Sequence, residues 1–144
     1  MADPGASRLV LFRLGSQLWA APASVVREVI ASVPVTRIPG TAQAVAGLVN
    51  LRGTLLTVVD GRRALGVAER EGAAESILVL ERGGRPYGVS IDEVLDLVEV
   101  RPAELKPGPP PAGIDPRLIR AHGRHAGRAF AVMDTEALLA PVLG

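Results

Sequence analysis

The chain has 144 residues, 48% of them hydrophobic, and its 16 Lys plus Arg against 15 Asp plus Glu leave a net charge of +1, which fits one domain or two small fused ones with a real core. No long block of one sign offers a footprint for nucleic acid or an anionic membrane, and the absence of cysteine excludes a disulfide framework, a thiol nucleophile and a thiolate metal site. The small, polar start before Leu9 is not a signal peptide and no stretch approaches the ~20 apolar residues of a membrane span, so a cytoplasmic protein without direct membrane insertion is expected.

Leu9 to Leu14 reads as a strand, Gly15 to Gln17 as a turn and Leu18 to Ala21 as the returning strand. Pro22 opens a brief helix, and the β-branched residues around Arg27, Glu28, Val29 and Ile30 turn the chain extended again. Pro34 and Pro39 bracket an extended piece, Val35 to Ile38, after which Thr41 is expected to cap a helical turn through Ala46, closed by Gly47. Leu48 to Asn50 and Thr54 to Val59 read as strands joined tightly at Leu51, Arg52 and Gly53, and Asp60 caps a turn over Arg62 to Leu65. Val67 to Ser76 is a polar connector, followed by a strand at Ile77 to Glu81, a Gly83, Gly84 turn and a strand at Tyr87 to Ile91.

The pattern then repeats. At an offset of 68, Gly15 meets Gly83, Trp19 meets Tyr87, Val26 meets Val94, Glu28 meets Asp96 and Val29 meets Leu97, with Pro34, Pro39 and Gly40 falling on Pro102, Pro107 and Gly108. Beyond Pro109, Pro110 and Pro111 the offset becomes 74, pairing Gly53 with Gly127, Val58 with Val132, Asp60 with Asp134 and Leu65 with Leu139. Short strands with Gly and Pro punctuation, in two similar halves, predict two small barrels in pseudo-symmetric contact. We expect a single domain over residues 8–140, with approximate halves 8–68 and 76–140 and strands open to exchange between them.

Catalytic chemistry is missing. His122 and His125 stand near Gly123 and Gly127 with no ligand set around them and read as surface-loop histidines. Asp92, Glu93 and Asp96 lack the spacing of a calcium loop and read as a solvated helix face. The single lysine, Lys106, precedes Pro107, so there is no phosphate-binding P-loop, and Phe12, Trp19, Tyr87 and Phe130 each sit within a predicted strand, where core packing explains them better than base stacking. A non-enzymatic binding protein without a cofactor is the reading that remains.

Gly47, Leu48, Val49, Asn50, Leu51, Arg52, Gly53 and the run from Thr54 to Asp60 resemble the G-V-x-N-L-R-G-x-[IV]-x-P-V-[IV]-D-L signature of the CheW-like domain family. Phe12 to Gly15, Pro39, the V-x-E-V-like Val26 to Val29 and the D-x-V at Asp92 to Val94 support it. The resemblance spans roughly Arg8 to Leu139 and departs at Thr57, where the family usually has Pro, and at Gly61, where it usually has Leu.

It implies two five-stranded SH3-like β-barrels and a scaffold linking the cytoplasmic tips of methyl-accepting chemoreceptors to the regulatory domain of a CheA-type histidine kinase. A similar adaptor of a pilus-motility or other chemosensory-like pathway is the alternative, and an RNA- or ligand-binding small barrel a remote one. By motif position, Val26, Glu28 and Val29 fall in the receptor-facing segment, with the aliphatics as anchors and Glu28 as a rim charge. Asn50, Leu51, Arg52 and Gly53 form the signature turn. There Arg52 either grips a carboxylate, of a partner or a neighbour, or ties its own turn to a carbonyl, while Asn50 and Gly53 shape the backbone. Leu55 and Leu56 alternate between core and face, one of them being open to the kinase.

Overall fold

A computed structural model describes residues 7–36, 44–67, 75–107 and 114–143. The described residues form ten strands: β1 Ser7–Leu14, β2 Gln17–Pro22, β3 Val26–Ala31, β4 Val45–Leu51, β5 Thr54–Asp60, β6 Ser76–Arg82, β7 Arg85–Ile91, β8 Glu93–Val100, β9 Ile119–His125 and β10 Arg128–Met133. Two α-helices, α1 Gly61–Ala64 and α2 Thr135–Leu143, and short 3-10 turns such as Ala23–Val25 complete them. No helix among the described residues is long and apolar enough to cross a membrane.

The strands build two five-stranded sheets with the orders β8-β1-β2-β10-β9 and β3-β6-β7-β5-β4, which we name the first and second sheet. Shifting every strand by five positions turns one order into the other, so the repeat in the sequence is a pseudo-two-fold in the fold. Each sheet takes three strands from one half of the chain and two from the other: the β1-β2 hairpin joins β8, β9 and β10, and the β6-β7 hairpin joins β3, β4 and β5. The exchanged hairpins are held by the parallel pairs β2-β10 and β5-β7.

Neither sheet is closed by a continuous ladder. Instead the chain leaving an edge strand reaches the opposite edge by a single bridge, Thr36 to Leu48 in the second sheet and Lys106 to His122 in the first.

Alternation along the central strands explains why their sequences are apolar runs rather than a clean period of two. In β1 and β2, Leu9, Leu11, Leu18 and Ala20 fill the core enclosed by the first sheet, with Phe130 and Val132 of β10. Their neighbours Phe12, Leu14, Trp19 and Ala21 point the other way into a core shared by both sheets, with Leu78, Leu80, Val89, Ile91 and Met133. Val49, Leu56, Val58, Ile77 and Val79 fill the second sheet. Strands buried on both faces have no reason to alternate in polarity.

Three expectations are corrected. Val45 and Ala46 are the start of β4, not the end of a helical turn; Thr41 to Gln43 of that turn, and Arg37 and Ile38, lie outside the described residues, as do Pro39, Gly40, Gly108 and the connector over 68–74. The acidic cluster is no helix face: Glu93 and Asp96 lie on β8, and Asp92, just before it, is 3% exposed. The histidines are not in a loop, since both belong to β9.

Candidate functional site

The signature turn is a two-residue hairpin loop between the paired residues Leu51 and Thr54. Its central residues, Arg52 and Gly53, have φ of 49° and 86°, the positive values of a type I′ turn. Asn50 Oδ1 accepts the Gly53 amide at 2.8 Å, and Leu51 packs onto the core of the second sheet. Asn and Gly are therefore where the backbone needs a short acceptor and left-handed freedom.

Arg52 turns away from its own carbonyls. Its Nη2 donates to Glu28 Oε2 at 2.6 Å, joining the turn to β3 on the far edge of the same sheet. The side chains are 69% and 29% exposed, so the pair lies on the surface, where its contribution to stability is small.

The register of β3 against β6 divides the receptor-facing residues of the expectation. Val26 and Val29 stand opposite Leu80 and Leu78, on the face of the shared core, whereas Glu28 and Ile30 stand opposite Val79 and Ile77, on the face of the second sheet's own core. Val26 is half-buried against the shared core, and Val29, at 41% exposure, is the more open of the two aliphatics. Between Val26 and Glu28 the ladder to β6 slips by one residue, a bulge that sharpens the twist where the exposed face begins. Leu55 and Leu56 divide as a strand requires: Leu56 is fully buried, and Leu55, at 66% exposure, is the one open to solvent.

Both departures from the family signature lie in packed positions. Thr57 stands in a row across the second sheet, between Leu48 on β4 and Tyr87 on β7. Gly61 opens α1 where a Cβ would overlap the Ser90 carbonyl. Close approach of that helix to β7 excludes a Leu side chain in this geometry.

The pseudo-two-fold carries the turn and its ion pair onto the other half. Ala126 and Gly127, with φ of 50° and 78°, repeat the loop of Arg52 and Gly53, and Arg124 Nη2 donates to the Gly127 carbonyl at 2.9 Å from the position of Asn50. Asp96, the counterpart of Glu28, meets His125 Nε2 at 3.2 Å. A weaker polar link thus replaces Glu28 and Arg52, beside Leu95 and Leu97, which are 40% and 56% exposed. The offsets of 68 and 74 point to this surface, whereas the glycines flanking His125 in the sequence suggest a loop.

A buried clamp was not legible in the sequence. Asp92 Oδ2 accepts the Gly15 amide at 2.8 Å and Arg13 Nη1 at 3.2 Å, while Oδ1 accepts Arg62 Nε at 2.8 Å and also its Nη2. One carboxylate thereby fastens the β1-β2 turn, from the first sheet, to α1 at the end of β5 in the second. The only signal for it was the D-x-V resemblance at Asp92.

The geometry agrees with what the chain is similar to. The model of the CheW-like domain matches residues 8–142. The chain is 30% identical over 106 residues to the chemotaxis protein CheW of Rhizobium meliloti (strain 1021), covering 73% of this chain and 68% of that one. It is 28% identical over 134 residues to the chemotaxis protein CheW of Klebsiella aerogenes, covering 90% and 80%. The crystal structure of the scaffolding protein TtCheW from Thermoanaerobacter tengcongensis superposes with a TM-score of 0.85 at 25% identity, over 95% of this chain and 90% of the other. With the signature turn, the doubled strand order and these likenesses in agreement, the chain belongs to the CheW-like domain family.

Proposed function

We propose that the protein is a non-enzymatic scaffold of chemotaxis-type signalling that couples a chemoreceptor's cytoplasmic tip to a CheA-type histidine kinase in the cytoplasm. The observation that carries this reading is the Glu28 to Arg52 pair at 2.6 Å, which presents the receptor-facing segment and the signature turn as one charged rim. A helix tip docking beside it gains register from the charges and apolar contact from Val29. Leu55, exposed on the strand after the turn, is the apolar residue offered to the kinase.

Capture of the purified chain by a receptor cytoplasmic fragment and by the kinase regulatory domain tests the two contacts separately. Glu28→Lys is expected to weaken receptor capture about tenfold while the thermal midpoint stays near that of the parent, because exposed pairs contribute only about 0.2–1 kcal/mol to folding. Unchanged receptor capture by folded Glu28→Lys would count against the assignment. Leu55→Glu is expected to lower kinase capture and spare the receptor, and cross-links from the kinase that map away from β5 would reject that half.

A further inference from the structure

Most cationic side chains of the described residues are answered by a carboxylate of the same chain. Arg13 and Arg62 hold Asp92, Arg27 holds Glu81, Arg52 holds Glu28, Arg82 holds Glu136 and Arg117 holds Asp115. Three cations at one edge of the first sheet are different: Lys106, Arg120 and Arg124 are exposed and have no carboxylate partner among the described residues. Arg8 and Arg85 are also unpaired, but in the ladders Arg8 stands opposite Glu99, and Arg85 stands opposite Arg82, whose charge Glu136 meets.

The backbone gathers the three. Lys106 pairs with His122 in the bridge that joins the edges of the sheet, so these two side chains share a face. Ala121 and Gly123 lie on the inner face with Val132 and Phe130, which puts His122 and Arg124 on the outer one. Arg120 is exposed two residues before His122, at the bulge where the ladder to β10 slips. Arg124 Nη2 donates to the Gly127 carbonyl, and the other donors of its guanidinium face solvent. Arg128, opposite His125, leaves by the inner face and takes no part. The pseudo-two-fold supplies the comparison. The equivalent positions of the second sheet are Thr36 in the bridge and Ala46, Leu48 and Asn50 on β4, all uncharged, so the fold itself does not require cations there.

We propose that this edge binds an extended acidic segment of another protein, with carboxylates at alternate positions. Alternate side chains of an extended segment are about 7 Å apart, which matches the step along β9 from Arg120 to the His122 and Lys106 bridge and on to Arg124. Each carboxylate then meets one cation, and the two guanidinium forks can take theirs bidentately. A second copy of the chain is a poor match, since Glu28, Glu81, Asp92, Glu93, Asp96 and Asp115 are already held by basic side chains of their own chain. Nucleic acid is a poor match too: Phe12, Trp19 and Phe130 are buried and Tyr87 lies on the second sheet, so the edge offers bases no ring to stack on. The surface belongs to the first sheet, whereas Glu28, Val29 and Leu55, which carry the receptor and kinase contacts proposed above, are on the second.

Titration of the ¹⁵N-labelled protein with a short peptide of alternating Glu and Thr is expected to shift the backbone amides of Lys106, Arg120, His122 and Arg124 saturably, while a peptide of alternating Gln and Thr leaves them in place. Lys106→Gln combined with Arg120→Gln should weaken binding about tenfold, and Arg85→Gln, which removes an unpaired cation from the second sheet, should leave it unchanged. All three residues are exposed and outside any ion pair, so the variants should keep the parent's thermal midpoint. No saturable shift, undiminished binding by the folded double variant, or an equal loss in Arg85→Gln overturns the proposal. Tighter binding of a single-stranded oligonucleotide at the same ionic strength overturns it in favour of nucleic acid. Sedimentation showing the parent self-associating, with the association lost in the double variant, overturns it in favour of a second copy.

Discussion

Burial pushes the Asp92 carboxyl up, but the Gly15 amide and the Arg62 and Arg13 guanidinium groups outweigh it, and the net is a value below the ordinary 3.8. A carboxyl held low in the native state stabilises the fold above its unfolded value and gives up that contribution as pH falls through the native one. Unfolding free energy should therefore decline on acidification from about 3.8 downward, and Asp92→Asn should flatten that part of the profile in chemical denaturation. The same substitution is expected to cost about 3 kcal/mol at neutral pH, since it leaves Arg13 and Arg62 facing a neutral group in a nearly dry site. At this scale the sequence was readable where backbone geometry dictates the residue, as at Asn50 and Gly53. It was not readable where burial decides the role: Asp92 and Asp96 are both short acids near one strand, yet one is a clamp and the other an exposed partner of His125.

At the scale of elements, hairpins and caps were the legible parts. Gly15, Gly83, Gly53 and Gly127 all mark turns with positive φ, and Asp60 and Asp134 each accept the amide three residues on, at Arg63 and Ala137. The missed elements are those whose partners are remote. β8 pairs with β1, some 85 residues away in the register of Leu11 with Asp96, and no local pattern distinguishes such an edge strand from an acidic helix face. Gly47 shows how a local residue serves a remote contact: with φ of 145°, it lies against the Thr36 carbonyl, which receives the Leu48 amide in the one bridge joining the edges of the second sheet. A Cβ at this position would overlap that carbonyl, so Gly47→Ala should destabilise the protein by roughly 2–3 kcal/mol in denaturant melts. Gly53→Ala, where a Cβ meets nothing, should cost only about 1 kcal/mol, from the strained φ alone.

For the whole molecule, the doubled order of strands was visible in the sequence through its offsets, whereas the hydrogen-bonding partner of each hairpin was not, because a β1-β2 hairpin reads the same whichever sheet receives it. The exchange has a measurable consequence. Residues 7–67 or 75–143 alone lack two strands of one sheet and three of the other, and expose apolar faces that belong in the shared core. Each half expressed by itself should show no cooperative unfolding transition, while an equimolar mixture should regain the β circular dichroism of the parent. Non-local ladders of this kind also place folding in the range of milliseconds to seconds.

The five-step shift that maps one sheet onto the other means that, before the side chains of the two halves diverged, two identical copies of one half could have satisfied every backbone ladder, as a domain-swapped dimer does. Joining them in one chain removes the requirement for identity. An ancestral pair of equal subunits must carry the same side chain at both ends of its axis, and a tethered pair need not. Arg52 with Glu28 at one end and His125 with Asp96 at the other are differences that such a tether permits. A symmetric frame can then present distinct faces to distinct neighbours, which gives the molecule a direction.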